Sequence, residues 1–267
     1  MANSYPPIVR ARLPFAADRS DGGQFSNTPP ELTDQASVEV DVDVTNIRTM
    51  ARPPTLEREG FAVASLPDGV GLPPSEPAPF DDYVTACLEL VSSLTGRDAV
   101  VAFGPPVRRG DPESRIGFVA PRAHFVHLDN SKTSAVERVR ETVAPHGFDA
   151  EGAAIFNVWR SITEPPQDVP IAVCDWRTVA SEDLVTGMTV EGGGFVAPHL
   201  RLAPSAEGPS WFYVPDLAVD EVLVFVGTDL DPSHPLGCAH SAFTNPLVTD
   251  APEPRASVEV RVIACRG

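Results

Sequence analysis

Basic side chains are scarce in this chain, and their scarcity removes a class of partners. Twenty Lys and Arg stand against 37 Asp and Glu, a formal charge of −17. Binding to an extended nucleic-acid surface rests on Lys and Arg neutralising phosphates, so no such surface is expected. The acidic excess reads as solubility. Long apolar runs are missing as well: none approaches the roughly 18 residues of a membrane span. Residues 1–12 carry prolines and arginines but no apolar stretch of a secretory signal, so a cytoplasmic location is expected. Paired cysteines are absent too. Cys87, Cys174, Cys238 and Cys265 are far apart, with no Cys-x-x-Cys spacing. That argues against structural zinc and for reduced, buried thiols.

What is present is enough for a core: 267 residues with a 42% hydrophobic fraction, read as one large domain of residues 37–267. Residues 1–36, rich in Pro, Ser, Asp and Gly, read as an extended, partly mobile arm. Val38, Val40, Val42 and Val44 alternate with polar residues, the period of a half-buried strand at a sheet edge. Phe80, Tyr83, Val84, Cys87, Leu88, Val91 and Leu94 recur at three and four, predicting a helix over about 80–95 with Gly96 as its stop. Ser134 and Glu137 match a capping box opening a second helix, 134–143. Both helices are expected to flank a sheet.

The remainder favours strands. Residues 99–103 read as one, and 105–117 as a loop. The loop's Arg108, Arg109 and Arg115 read as a solvated surface, with contact to an anionic substrate as the alternative. From Gly152 onward short strands are expected at 154–159, 169–176, 210–214, 221–226, 240–243 and 256–264, a spacing that favours a sandwich or barrel. Residues 182–209 read as a long connection, its Gly192-Gly193-Gly194 run a flexible loop. The expected class is mainly β with flanking helices.

One stretch carries chemistry. In a strand over 123–129, His127 and Asp129 share a face, while His124 turns to the other. His240 lies far enough downstream for the chain to return to the same point. Two imidazoles and a carboxylate on one face leave coordination positions open, the arrangement of non-haem Fe(II) oxygenases. Arg255 and Ser257, on alternate positions, could fork onto a carboxylate of 2-oxoglutarate. His199 and His234 are alternatives to His240, but they sit in loops without a following Arg-x-Ser.

The order His-x-Asp, distal His, Arg-x-Ser, together with Phe156-Asn157-Val158-Trp159-Arg160, Pro170 to Asp175, Asp220 to Phe225, Ala239 to Phe243 and Arg255 to Arg261, resembles a known group. It is similar to the oxygenases that include AsaB-like, gibberellin desaturase-like and cephalosporin 7-hydroxylase-component (CmcJ-like) proteins, over roughly residues 45–265. The resemblance implies a double-stranded β-helix, or jelly roll, using Fe(II), 2-oxoglutarate and O2. By the family pattern His127, Asp129 and His240 are the metal ligands, and Arg255, helped by Ser257, is the co-substrate's partner. It implies a dioxygenase that hydroxylates, desaturates or cyclises a small secondary-metabolite or amino-acid-derived substrate, releasing succinate and CO2.

Around that site Asn157 is a further candidate for the cofactor pocket. Trp159, Trp211 and Arg160 are candidates for substrate contact; Arg160 is weighed against a structural salt bridge to Asp175 or Glu221, and the two tryptophans against core packing. A second class of function stays open: a jelly-roll hydrolase or small-molecule binding protein using the same three ligands, since zinc also takes two His and a carboxylate. Nothing in the sequence speaks to oligomeric state.

Overall fold

Strand-forming segments alternate with turn residues along almost the whole chain, and a computed structural model arranges them as two packed sheets. It describes residues 5–26, 33–67, 69–71, 81–97, 99–110, 120–190, 196–250 and 253–266. In the first half lie β1 (Ile8–Ala16), β2 (Gln24–Ser26), β3 (Ser37–Asn46), β4 (Phe61–Ser65), α1 (Asp81–Thr95), β5 (Ala99–Ala102), β6 (Val107–Gly110), β7 (Ala120–Pro121), β8 (His127–Leu128) and α2 (Lys132–Val143). After them come β9 (Ala154–Ser161), β10 (Ile171–Cys174), β11 (Leu184–Val190), β12 (Val196–Leu202), β13 (Trp211–Tyr213), β14 (Glu221–Asp229), β15 (His240–Ala242) and β16 (Ser257–Cys265).

The larger sheet runs β1-β3-β13-β10-β15-β8-β12-β11-β2, and the smaller runs β4-β14-β9-β16-β6-β7, with β5 also on β16. Most pairs are antiparallel; β3 with β13, β2 with β11 and β6 with β7 are parallel. The two curled sheets form the jelly roll. Every residue of β9 is buried, because α1 covers one face of the smaller sheet and the larger sheet covers the other. On α1 the stripe Tyr83, Ala86, Cys87 and Val91 packs on Phe156, Val158, Val260 and Val262. On α2 Ala135, Val139 and Val143 pack on Phe103, Ile155 and Ile263. Burying a large aliphatic side chain of this kind contributes about 1.5–3 kcal/mol.

The expected N-terminal arm is replaced by sheet. β1 pairs with β3 from Ile8↔Thr45 to Ala16↔Ser37, and its Val9, Ala11, Leu13 and Phe15 are buried on alternate positions. That alternation drives the pairing; the flanking prolines and arginines masked it. β3 consequently lies inside the sheet, between β1 and β13, and not at an edge. The expected connection 182–209 contains the β11–β12 hairpin, whereas Gly192, Gly193 and Gly194 lie outside the described residues. The expected loop 105–117 contains β6, and Arg115 lies outside the described residues. Helix α2 starts before the predicted capping box, at Lys132, because Ser131 is its cap: the Ser131 hydroxyl accepts from the Ser134 N–H at 3.2 Å. All four cysteines are free and buried. Among the described residues no helix is long and apolar enough to cross a membrane.

Candidate active site

The strand carrying the first ligand is shorter than 123–129: only His127 and Leu128 pair, since the Val126 N–H turns to Pro14 O of the β1 strand at 2.9 Å. β8 lies between β15 and β12, and His127 stands in register opposite His240. Their ring centroids are 4.2 Å apart. Asp129, one residue past the strand, completes the triangle: its Oδ1 lies 3.7 Å from His127 Nε2 and 4.0 Å from His240 Nε2.

Each of the three presents the atom a metal needs. His127 Nδ1 faces Phe125 O at 2.8 Å and His240 Nδ1 faces Cys238 O at 3.3 Å. A carbonyl accepts only from an N–H, so both rings carry the proton on Nδ1 and turn the Nε2 lone pair inward. Asn157 Nδ2–H donates to Asp129 Oδ2 at 2.6 Å, leaving Oδ1 free. The three ligand atoms lie within 4.8 Å of one another and form the one such cluster among the described residues. Neighbouring ligands on bonds of about 2.1 Å sit roughly 3 Å apart, so small side-chain rotations close the triangle. Two imidazoles and one carboxylate with open positions suit Fe(II).

The electrostatics agree. Burial, then the facing His240, push His127 well below its ordinary pKa, keeping it neutral as a ligand must be. Burial opposes charge on Asp129, but His240, His127, Arg261 and the Asn157 hydrogen bond outweigh it and hold the carboxyl below its ordinary value. Gly227 on β14 protects this arrangement: a Cβ there would meet Asn157 Oδ1 at 2.4 Å. Gly227→Ala should therefore displace Asn157, free Asp129 to rotate and weaken metal binding by about 10- to 100-fold, the usual effect of losing such a support. A metal titration of the folded variant checks it.

Beside the triangle, β16 turns alternate residues inward: Arg255 just before it, then Ser257, Glu259 and Arg261. Arg255 Nη1–H donates to Ser257 Oγ at 2.8 Å and Nε–H to Val169 O at 2.6 Å, and its guanidinium lies 5.4 Å from the Trp159 ring centre. It is 2% exposed, and burial, then Arg122, pulls its pKa down to about 9. It remains cationic at neutral pH, and a carboxylate would restore the solvation it has lost. Arg109, Trp159, Ile171, Arg255 and Glu259 wall one cavity with His127, Asp129 and His240.

Comparison with known proteins agrees with this geometry. A family model described as an oxidoreductase/YMDC permease-like domain matches residues 13–265. The Fe(II)/2-oxoglutarate-dependent dioxygenase nvfI of Aspergillus novofumigatus is 33% identical over 193 residues, 70% of this chain and 67% of the relative. The chain belongs to this oxidoreductase family, among the Fe(II)/2-oxoglutarate-dependent dioxygenases. The alpha-ketoglutarate-dependent dioxygenase phiK of a fungal species is 25% identical over 96% of this chain and 95% of its own. The solved structure of the iron and alpha-ketoglutarate-dependent endoperoxidase NvfI superposes with a TM-score of 0.79 at 26% identity, over 98% of this chain and 99% of that one. The family's cofactors are Fe(II), 2-oxoglutarate and O2.

Two substrate candidates of the dioxygenase lie elsewhere. Arg160 has the opposite strand parity to Asn157 and Trp159, so it leaves the cavity and sits 5.5 Å from the Tyr83 ring on α1. It donates to the carbonyls of Val219 and Gly71. Neither expected salt bridge forms, since Asp175 pairs with Arg177 and Glu221 with Arg48. Trp211 is buried in the core, edge-on to Phe15 at 6.2 Å. His234 pairs with Asp229.

His199 of the dioxygenase is not a ligand but a neighbour, its ring centre 6.4 Å from that of His127. Gln35 Nε2–H donates to its Nε2 at 3.2 Å, and its Nδ1 faces Thr189 Oγ1 at 3.0 Å. Burial, then Arg201, lowers its pKa to about 4. The unfolded chain, with an ordinary value near 6.5, takes up this proton first. Stability from His199 is therefore full above about pH 6.5 and lost as pH falls toward 4, by up to about 3 kcal/mol. The midpoint of denaturant unfolding of the metal-free protein should fall across that window, and less steeply in His199→Gln.

Glu259 and Arg261, both within the stretch Arg255 to Arg261, line the site as well, although neither is a candidate from the sequence. Burial, then Asp129, raises the Glu259 pKa. The signal was present: the parity that sends Arg255 and Ser257 inward sends these two inward as well.

Proposed function

We propose that His127, Asp129 and His240 hold the Fe(II), that Arg255 and Ser257 grip the far carboxylate of 2-oxoglutarate, and that the enzyme oxidises a small secondary metabolite. The product would leave hydroxylated, or alternatively desaturated or ring-closed. One observation carries this reading: three correctly protonated ligand atoms converge in the same cavity as a buried arginine. Names among the relatives point the same way, including a hydroxylase/desaturase, asaB of Aspergillus flavus, 29% identical over 41% of this chain and 54% of its own.

Bound there, iron, 2-oxoglutarate and O2 supply an oxidative decarboxylation to succinate and CO2 whose oxidising power is spent on a substrate carbon. The chain's residues do the rest. The Phe125 and Cys238 carbonyls fix the imidazole tautomers, and Asn157 fixes which carboxylate oxygen of Asp129 faces the metal. Arg255 orients the diacid by a charge-assisted contact in a site from which water is largely excluded. Trp159 lies against the Arg255 guanidinium and limits where it swings. The reading also keeps the enzyme in the cytoplasm with no nucleic-acid partner, supported by four free thiols and a charge of −17.

The test is turnover without an added substrate. Succinate release that needs both Fe(II) and O2 supports the proposal; no succinate with Fe(II), alongside ester or amide cleavage with Zn(II), would replace it with the hydrolase reading.

A further inference from the structure

Arg255 stands just outside the sheet whose strand it precedes. The ladder of β16 to β9 begins at Ser257↔Ser161 and that to β6 at Ser257↔Arg109, so no strand takes the N–H or the C=O of Arg255. Side chains take both. The Arg255 N–H donates to Asp168 Oδ1 at 2.9 Å, and its carbonyl accepts from Arg122 Nε–H at 3.0 Å and Nη2–H at 2.9 Å. The next N–H, of Ala256, donates to Thr163 Oγ1 at 3.3 Å. Strand ends fray at little cost in free energy unless something holds them. Here the main chain of a buried arginine is held as firmly as its guanidinium.

The two holders carry opposite charge. Arg122 disfavours the Arg255 cation and Asp168 favours it, so charge gives them no common task; their hydrogen bonds to the main chain of one residue do. Both segments also run to the metal ligands. Arg122 opens the stretch that leads into His127, and Ala123 O accepts the Ala242 N–H of β15 at 3.0 Å. Asp168 precedes β10, in which Val173 stands opposite His240, and Asp168 O accepts the Asn245 N–H at 2.8 Å. Val169, the next residue, takes the Arg255 Nε–H. Short paths therefore tie Arg255 to both histidine-bearing strands, while neither Arg122 nor Asp168 lines the cavity.

We infer that Arg122 and Asp168 are positioning residues: they fix the span from the Arg255 guanidinium to His127, Asp129 and His240, and so make the site select its diacid by length. The inference rests on Arg255 gripping the far carboxylate of 2-oxoglutarate, as proposed above. A diacid held at both ends fits only when its chain matches the distance between the holders, and a misplacement of about 1 Å in such a site costs on the order of 100-fold. 2-Oxoadipate, longer by one methylene, does not match. Neither residue touches the diacid; each acts through the place it gives Arg255.

The test is anaerobic titration of the full chain, loaded with Fe(II), with 2-oxoglutarate and with 2-oxoadipate, each followed by the visible charge-transfer band of the chelate. The parent should favour 2-oxoglutarate by at least about ten-fold. In Arg122→Ala and in Asp168→Ala the Kd for 2-oxoglutarate should rise about ten-fold and the preference over 2-oxoadipate should narrow several-fold, with Fe(II) stoichiometry unchanged. Asp168→Asn keeps an oxygen for the Arg255 N–H and should stay within about two-fold of the parent, a rescue that a role for the charge would not allow. Arg122→Lys, with a point charge in place of the fork, should fall between parent and alanine. Should an alanine variant fail to fold, these two conservative variants decide: a weakened Asp168→Asn or a parent-like Arg122→Lys overturns the inference. So does a parent with no preference, or alanine variants that keep the parent's preference, and in each of these cases the role of Arg255 stands. No band in the parent, or an unchanged Kd in Arg255→Ala, would remove that role and the inference with it.

Discussion

Replacing His127 by alanine should lower 2-oxoglutarate-dependent turnover by at least about a thousand-fold and reduce the iron content of the purified protein to background. Losing an outer support of a metal ligand commonly costs 10- to 100-fold, and losing the ligand itself costs more. No neighbour replaces it: His199 is the next ring, 6.4 Å away between centres, and it is engaged by Gln35 and Thr189. The fold should survive, because the substitution removes a neutral ring at the wall of an existing cavity and leaves the strand pairing of His127 to the backbone. Iron content and succinate release, measured beside Asn157→Ala, grade the two residues. A His127→Ala protein with normal iron and normal turnover would take His127 out of the ligand set.

Arg255→Ala should act on a different constant. The guanidinium has five N–H donors, of which two are spent on Val169 O and Ser257 Oγ, so three remain for a carboxylate. Removing a buried charge-assisted contact of this type costs about 3 kcal/mol. The KM for 2-oxoglutarate should therefore rise on the order of 100-fold, with kcat falling much less, because the contact is equally present before and during reaction. Arg255→Lys should recover only a small part of the affinity: a point charge cannot hold Val169 O, Ser257 Oγ and a carboxylate together. An equal fall in kcat with an unchanged KM would show that Arg255 acts on the reacting centre instead.

The parts legible in the sequence are those that alternation encodes locally. Helix α1 lies where its stripe of three and four puts it; His127, Asp129 and His240 come together as the family resemblance implies, although Asp129 lies one residue past β8 and not on it. Parity within a strand separates Arg160 from Asn157 and Trp159 but does not say which face lines the pocket; the packing of α1 on the Arg160 face decides it. The N-terminal segment was hidden for another reason. Its alternating Val9, Ala11, Leu13 and Phe15 are flanked by prolines that suggest irregular chain, and its partner β3 follows only after the Gly- and Pro-containing segment between Ala16 and Ser37. A second cavity, which meets that of Arg255 at Arg109, His127 and Asp129, could not be read at all. Phe25, Arg109, Arg138, His199 and Arg261 come from five elements and share no spacing; only the closing of one sheet over the other brings them together.

The most direct test of the central claim is anaerobic titration of the metal-free protein with Fe(II) in the presence of 2-oxoglutarate. A visible charge-transfer band should grow to one equivalent of iron, vanish in His127→Ala and, in Arg255→Ala, need far more 2-oxoglutarate to reach the same intensity. Tight binding of Fe(II) with no band at any 2-oxoglutarate concentration would contradict the account, since His127, Asp129 and His240 would then hold a metal to which the diacid never attaches.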